Sequence, residues 1–405
     1  MTKKQKTLKI NGFVYGITRF ASFILAKTVF KRKIVRNEIK NKKGPFVIIA
    51  NHECALDFVN LIGLTNQKMH FVISESFYNT LPVRGLMKKM GIIPKQQFQT
   101  SVSDVKIMKT VIDEGGILVL FPAGLMCEDG LSTPIPQSTY KFLKWLKADV
   151  FVARTRGSYF VMPKWTKGFR KGTTTLDVHK LLTKEELASM PVPEIKKATD
   201  DALLFDCYRE QEALRIEYKG GGNIEGLENV LYKCPNCGEE FSVAVQNGNE
   251  LICSKCGYSE KSDQLGFLHK TSEVGEEIRY VSDWSKLIFD DVKAKISSGE
   301  LTELSAETEF KMIDYKKKKF LPVGNGFIRL TRDKFFVTGE INGEQISLEI
   351  YTAPFASLPF SPGKHLEIQH GDNIYRCALK EGKMVMKFIN MVKAYYELNR
   401  LADEN

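Results

Sequence analysis

The chain has 405 residues, 43% hydrophobic and 26% charged, the balance of a soluble globular protein with room for more than one core. That composition excludes wholesale disorder, a collagen-like repeat and a polytopic membrane protein. The 59 Lys and Arg against 48 Asp and Glu give +11, and the whole excess lies at one end, where residues 1–43 carry thirteen Lys or Arg against the single acid Glu38. A basic arm before a near-neutral body points to an anionic partner for the arm, a membrane surface ahead of a nucleic acid.

Residues 13–30 of this arm read FVYGITRFASFILAKTVF, interrupted by Arg19 and Lys27. A spanning helix needs about 20 largely apolar residues, so this one is too short and too charged to cross a bilayer. On a helix, Phe13, Val14, Ile17, Phe20, Ile24 and Leu25 share an apolar face between basic flanks, the composition of a helix lying in a membrane interface. Packing on the protein's own core and a signal peptide are the alternatives, the second without a small-residue cleavage site behind it.

Gly44-Pro45 opens the folded body, and Phe46–Ala50 is an apolar strand that runs straight into Asn51-His52-Glu-Cys-Ala-Leu-Asp57. Within one helix a spacing of five would set His52 and Asp57 about 140° apart. They meet only if His52 lies in the turn after the strand and Asp57 starts the helix. An Asp on imidazole fixes its tautomer and raises its basicity, which leaves the other nitrogen to take a proton from a hydroxyl.

The Asn-His-x4-Asp box after an apolar strand resembles the first motif of the glycerolipid (lysophosphatidate-type) acyltransferases. Gly91-Ile-Ile-Pro94 resembles the second motif and Gly116-Ile-Leu-Val-Leu-Phe-Pro-Ala-Gly124 the third, while Val150-Phe-Val-Ala followed by Arg154-Thr-Arg-Gly157 lies near the fourth. The resemblance covers residues 12–215 and implies an α/β domain, a mixed sheet flanked by helices, in which His52 is the general base and Asp57 orients it. It also implies an acyl-CoA or acyl carrier protein thioester as donor and a lysolipid as acceptor, with Asn51, Lys95, Gln97, Ala123, Gly124, Arg154 and Arg156 as substrate-binding positions. The sequence departs from the family where an acceptor phosphate is normally held: Gln97 replaces an arginine, Ala123 a glutamate, and Leu125 and Met126 a threonine and an arginine. Apolar side chains give a phosphate dianion no charge-assisted contact, so either the acceptor differs or Lys95, Arg154, Arg156 or Lys164 holds the phosphate. Backbone N–H groups near Ala123 and Gly124 are the expected oxyanion donors. An acyl-enzyme on Cys54 is disfavoured, since the family works without one.

Residues 181–215 read as helices broken at Pro191 and Pro193, with a capping box between Thr183 and Glu186. Gly220-Gly221-Gly222 is a linker. Beyond it stand Cys234-Pro-Asn-Cys237 and Cys253-Ser-Lys-Cys256, fifteen residues apart, with Gly238 and Gly257 following and a hairpin pattern between. Two turns that each bring two thiolates together suit a tetrahedral ion, and the pattern resembles a zinc ribbon whose Zn2+ is structural; disulfides and a redox-active pair are the alternatives. Thiolate ligands favour a reducing compartment. Trp284, Leu287 and Ile288 mark an amphipathic helix. From about Glu309 the period changes to two, with Asn342-Gly343 as a hairpin turn and strands at 346–350, 365–369 and 374–379. A last helix over 383–401 carries the stripe Met384, Phe388, Met391, Tyr395 and Leu398. Antiparallel strands closed by one helix resemble a small β-barrel of the pleckstrin-homology or GRAM type.

The resulting organisation is a basic amphipathic arm (1–43), an acyltransferase domain (44–215), a four-cysteine zinc ribbon (228–262), a helical connector (263–304) and a C-terminal β domain (305–405). The reading is an O-acyltransferase acting on a (lyso)lipid hydroxyl or amine, peripheral to the cytoplasmic face of the cell membrane, whose partners are an anionic membrane surface, a lysolipid and, on the donor side, either acyl-CoA or an acyl carrier protein. The alternative is an inactive lipid-binding scaffold on the same fold. Nucleic acid is not expected, because residues 228–262 hold three lysines against five glutamates.

Overall fold

A computed structural model describes residues 8–80, 84–95, 102–353, 355–371 and 373–404. The chain divides into two units, residues 1–163 with 168–219 and residues 164–167 with 220–405. The stretch 164–167 therefore belongs to the second unit although it interrupts the first in sequence.

The first unit opens with α1 (Gly12–Thr28), N-capped by the Asn11 side chain, which accepts the Val14 N–H at 3.1 Å. There follow β1 (Lys33–Asn37), β2 (Phe46–Ala50), α2 (Asp57–Leu61), β3 (Met69–Ser74), α3 (Glu75–Thr80), α4 (Arg84–Lys89), β4 (Ile93–Lys95), α5 (Val102–Asp113), β5 (Ile117–Leu120), α6 (Gln137–Leu146), β6 (Asp149–Arg156), α7 (Ser158–Val161), β7 (Thr175–Leu182), α8 (Lys184–Ser189), α9 (Val192–Leu203) and α10 (Cys207–Leu214). The strands form one mixed sheet in the order β1-β7-β6-β2-β5-β3-β4. Every neighbouring pair is parallel except β6 and β7. β2 is buried along its whole length, with Phe46 and Ile48 in one core and Val47 and Ile49 in the other. Burial on both faces is why its sequence is an unbroken apolar run rather than an alternating one. Because β2 to β6 all run the same way, their C-terminal ends share one edge, where open α/β sheets place their ligands.

α1 divides its surface between two environments. Tyr15, Ser22 and Ala26 are buried, and the Tyr15 hydroxyl accepts the Met69 N–H at 3.2 Å. Phe13 (79% exposed), Ile17, Phe20 (66%), Phe23 and Ile24 face outward, while Val14 packs on the core instead of joining that face. α8 starts on a complete capping box, Glu186 N–H to Thr183 Oγ1 at 3.1 Å and Thr183 N–H to Glu186 Oε2 at 2.7 Å.

In the second unit β8 (Val243–Gln246), β9 (Glu250–Cys253), β10 (Ser259–Ser262) and β11 (Leu268–Lys270) form an antiparallel sheet, followed by α11 (Val281–Ser298). Trp284 and Ile288 of α11 are buried, whereas Leu287 faces out. Next come β12 (Glu303–Asp314), β13 (Lys319–Thr331), β14 (Lys334–Ile341), β15 (Glu344–Tyr351), β16 (Phe360–Ser361), β17 (His365–His370), β18 (Asn373–Leu379) and α12 (Met384–Glu404). Their antiparallel sheet has the order β15-β14-β13-β12-β18-β17-β16. The β14–β15 turn uses Asn342 and Gly343 at φ of 53° and 84°, the two left-handed positions a tight hairpin needs. α12 buries Val385, Phe388, Ile389, Met391, Val392 and Tyr395. Among the described residues β15 and β16 do not pair, and β16 is two residues long, too short to supply the ladder that would close a barrel. Gly226, at φ +99°, lies where a Cβ would meet the Trp165 carbonyl oxygen at 2.1 Å, so this approach admits only glycine.

Candidate active site and cysteine cluster

Between the end of β2 and the start of α2, residues 51–56 form a turn that carries His52 back onto the first residue of the helix. His52 Nδ1 lies 2.9 Å from Asp57 Oδ2. The same oxygen accepts the main-chain N–H groups of Glu53 at 2.7 Å and Cys54 at 2.9 Å. A buried carboxylate that faces Nδ1 and only accepts places the ring proton on Nδ1 and leaves Nε2 as the acceptor. The Phe121 ring, just after β5, lies 4.5 Å from the imidazole between centroids, and Cys127 N–H donates to the His52 carbonyl at 3.2 Å. One fifth of the His52 side chain remains exposed, against 1% for Asp57. Burial, together with Asp57 alongside, pushes the Cys54 thiol well above its ordinary range, which removes it as a thiolate nucleophile.

Asn51 and Arg154 have internal partners where the sequence suggested substrate contacts. The Asn51 amide bridges to β6 in both directions, Nδ2 to Thr155 O and Thr155 N–H to Oδ1, each at 2.8 Å. Arg154 is 5% exposed. Its Nη1 donates to Glu53 Oε1 at 3.1 Å and to Thr155 O at 2.6 Å, its Nη2 pairs with Glu210 Oε1 at 2.6 Å, and the guanidinium stacks on Phe205. With its terminal nitrogens engaged this way, it does not present a fork to an acceptor phosphate. Glu53, which the sequence did not single out, is completely buried. Burial raises its carboxyl to about 7 against the lowering pull of Arg154.

The remaining expected positions are spread along the sheet edge. Lys95 ends β4, and burial lowers the pKa of its ammonium. Gln97 lies outside the described residues. Ala123 and Gly124 occupy the turn after β5, where Gly124 (φ +71°) donates its N–H to Phe121 O at 2.9 Å. That N–H closes the turn, so it is not the oxyanion donor expected of it. Leu125 is buried in its own unit. Arg156 ends β6 with Nε 3.5 Å from Glu210 Oε1 and about a third of its side chain exposed.

In the second unit the sulfurs of Cys234, Cys237, Cys253 and Cys256 all lie within 4.8 Å of one another. The contacts Cys234–Cys256 and Cys237–Cys253 measure 3.7 and 3.8 Å, far longer than a disulfide. Four sulfurs about 2.3 Å from a zinc ion would stand about 3.8 Å apart, so the donor set has the size and geometry to hold such an ion. Asn236 Nδ2 reaches Cys256 Sγ at 3.5 Å, and Ser242 Oγ lies 3.2 Å from Cys253 Sγ. Because all four positions around an ion there would be protein sulfurs, the cluster suits a structural role rather than catalysis.

Residues 31–165 match the family model described as Acyltransferase. Over 173 residues the chain is 22% identical to the 1-acyl-sn-glycerol-3-phosphate acyltransferase of Bacillus subtilis (strain 168), a match covering 42% of this chain and 83% of that protein. Among solved structures it is similar to the 1-acyl-sn-glycerophosphate (LPA) acyltransferase of Thermotoga maritima, with 17% identity and a TM-score of 0.41 over 50% of this chain and 78% of that one.

Proposed function

Because the chain belongs, through residues 31–165, to the glycerolipid acyltransferase family, we propose that it transfers a fatty acyl group from a thioester to a lysolipid hydroxyl, with His52 as base. The observation that carries this reading is the His52–Asp57 pair, held at the C-terminal edge of the sheet within the matched residues. In the reaction His52 Nε2 takes the proton of the acceptor hydroxyl as its oxygen attacks the thioester carbonyl. The tetrahedral intermediate collapses, the C–S bond breaks, and the thiol leaves with the proton that His52 returns. Asp57 holds Nδ1–H throughout and stabilises the imidazolium between the two transfers. Of the cations proposed for the acceptor phosphate, Lys95 and Arg156 remain, since Lys164 belongs to the second unit with its ammonium over the Phe360 ring.

The outward stripe of α1 supports peripheral attachment to the cytoplasmic leaflet. Phe13, Ile17, Phe20, Phe23 and Ile24 would enter the interface, and Lys27, Lys31 and Lys33 would meet anionic head groups. No helix among the described residues is long and apolar enough to cross a membrane. Replacing Phe20 by Asp is expected to weaken binding to anionic vesicles at least about tenfold, since one exposed aromatic contributes a kcal/mol or more of apolar burial. Transfer to a water-soluble, short-chain acceptor should be unchanged. Equal co-sedimentation of the two proteins would remove α1 as the contact. In the second unit we read the cysteine cluster as a structural zinc site and the seven-stranded sheet with α12 as a lipid-facing module of the pleckstrin-homology or GRAM type.

The test of the activity is thiol release from long-chain acyl-CoA and from acyl carrier protein, on liposomes, against lysophosphatidate, other lysolipids and non-phosphate acceptors. Acceptor-dependent release is expected with at least one lysolipid. Tight liposome binding with no release from either donor would favour the scaffold.

A further inference from the structure

We infer that Glu53 is the positioning residue of the base, a buried carboxylate that ties the His52 turn to the end of β6, and that Arg154 serves this tie instead of binding the acceptor. The inference rests on the acyl transfer proposed above and assigns roles that the motif itself does not contain.

Glu53 is bonded at both its backbone and its side chain. Its main-chain N–H donates to Asp57 Oδ2 at 2.7 Å, the oxygen that also bonds His52 Nδ1. Its side chain points into the protein, where Oε1 accepts from Asn51 Nδ2 at 2.9 Å and Arg154 Nη1 at 3.1 Å, and Oε2 accepts the Tyr159 N–H at 3.1 Å. Arg154 is fixed in turn by Glu210 of α10. One residue thus sets the direction of an N–H on the catalytic carboxylate while its own carboxylate is bound to β6 and α7. Any slack at Glu53 is passed to Asp57 and so to the imidazole. Proton transfer is steep in geometry, and about 1 Å of misplacement costs about a hundredfold. A buried, fully engaged ion pair beside the base is also costly to retain unless its placement is used.

The experiment compares wild type, Glu53→Gln, Glu53→Ala, Arg154→Met and the double variant Glu53→Met/Arg154→Met, for kcat and for KM of donor and acceptor. Gln keeps one acceptor oxygen and Ala keeps none. The expected order of kcat is therefore wild type, then Gln about 10–100-fold lower, then Ala lower again, with both KM values within about threefold. The second readout is the downfield proton resonance of His52 Nδ1–H, identified by its loss in His52→Ala. It is expected to shift or broaden in the Glu53 variants. If a single substitution strands a charge and fails to fold, the double variant removes both charges and should fold, and its kcat should also be low. A folded double variant at wild-type kcat overturns the proposal. So does an Arg154→Met protein whose acceptor KM rises tenfold or more at unchanged kcat. Should the wild type show no transfer at all, the acyltransferase reading fails, and the Nδ1–H resonance decides the positioning role alone: unmoved in Glu53→Ala, it overturns that role too.

Discussion

Replacing His52 by alanine is expected to lower kcat for acyl transfer by about 10^2–10^4, the range a positioned general base contributes, with little change in acceptor KM. The ring does not fill a core, being partly exposed with Phe121 against one face, so the variant should fold and the loss should read as chemistry. Asp57→Asn is the sharper companion. The Asp57 Oδ2 oxygen accepts from His52 Nδ1 and from two main-chain N–H groups. An asparagine that keeps its oxygen on the backbone donors keeps it on Nδ1–H as well and loses only the negative charge that stabilises the imidazolium. One that turns its NH2 toward Nδ1 forces the proton onto Nε2 and removes the base. The first arrangement should cost less than losing His52, the second about as much. Single-turnover rates at saturating acceptor measure this directly. A His52→Ala protein with the wild-type single-turnover rate would remove His52 as the base.

Stripping the zinc ion proposed for the cysteine cluster is expected to have the second large effect. Structural zinc in small domains contributes about 10–16 kcal/mol of apparent binding free energy at neutral pH, so the ribbon should unfold without it. The damage should spread within the second unit, because the ribbon anchors its helices. Lys383 of α12 donates to Phe241 O and Val243 O at 3.0 and 2.8 Å, Lys387 pairs with Glu240 at 2.6 Å, and Trp284 of α11 donates to Lys233 O at 2.9 Å. Chelation, or Cys234→Ser, is expected to lower the melting transition of this unit by roughly 15 °C or more, at about 2–4 °C per kcal/mol for a unit of this size. Elemental analysis should find one zinc per chain beforehand. An unchanged transition, or purified protein without metal, would discard the zinc reading.

How much was legible in the sequence differs from residue to residue. The strand–turn–helix around His52 could be read because β2 is buried on both faces and its apolar run ends abruptly at Asn51. The capping box of α8 and the Asn342-Gly343 turn were legible because each is a local bargain between a side chain and its own backbone. Glu53 was not, since it stands at one of the four unspecified positions of the Asn-His-x4-Asp box and its partner Arg154 lies 101 residues away. Arg154 was misread for the same reason: its second partner, Glu210, sits on α10, and no periodicity links a strand end to that helix. β12 begins at Glu303, earlier than the alternation suggested, because charged residues fill its outward positions on an exposed face. Val14, assigned to the outward stripe of α1, packs inward, and Phe23 replaces it there, since a helix that is only partly covered has no fixed boundary between its two faces.

The four residues 164–167 have a consequence for how such a chain can arise. Lys164 places its ammonium 3.3 Å from the centre of the Phe360 ring, and Trp165, 8% exposed, presents the carbonyl that holds position 226 to glycine. The polypeptide thus passes between the units at 163, 167 and 219, so the second unit takes four of its residues from within the sequence of the first. Gene fusion at the glycine linker alone would deliver a downstream module without these four residues, leaving Phe360 without its cation and Gly226 without its neighbour. Changes at 164 and 165 are therefore expected to track positions 360 and 226, the two partners these residues have far along the chain.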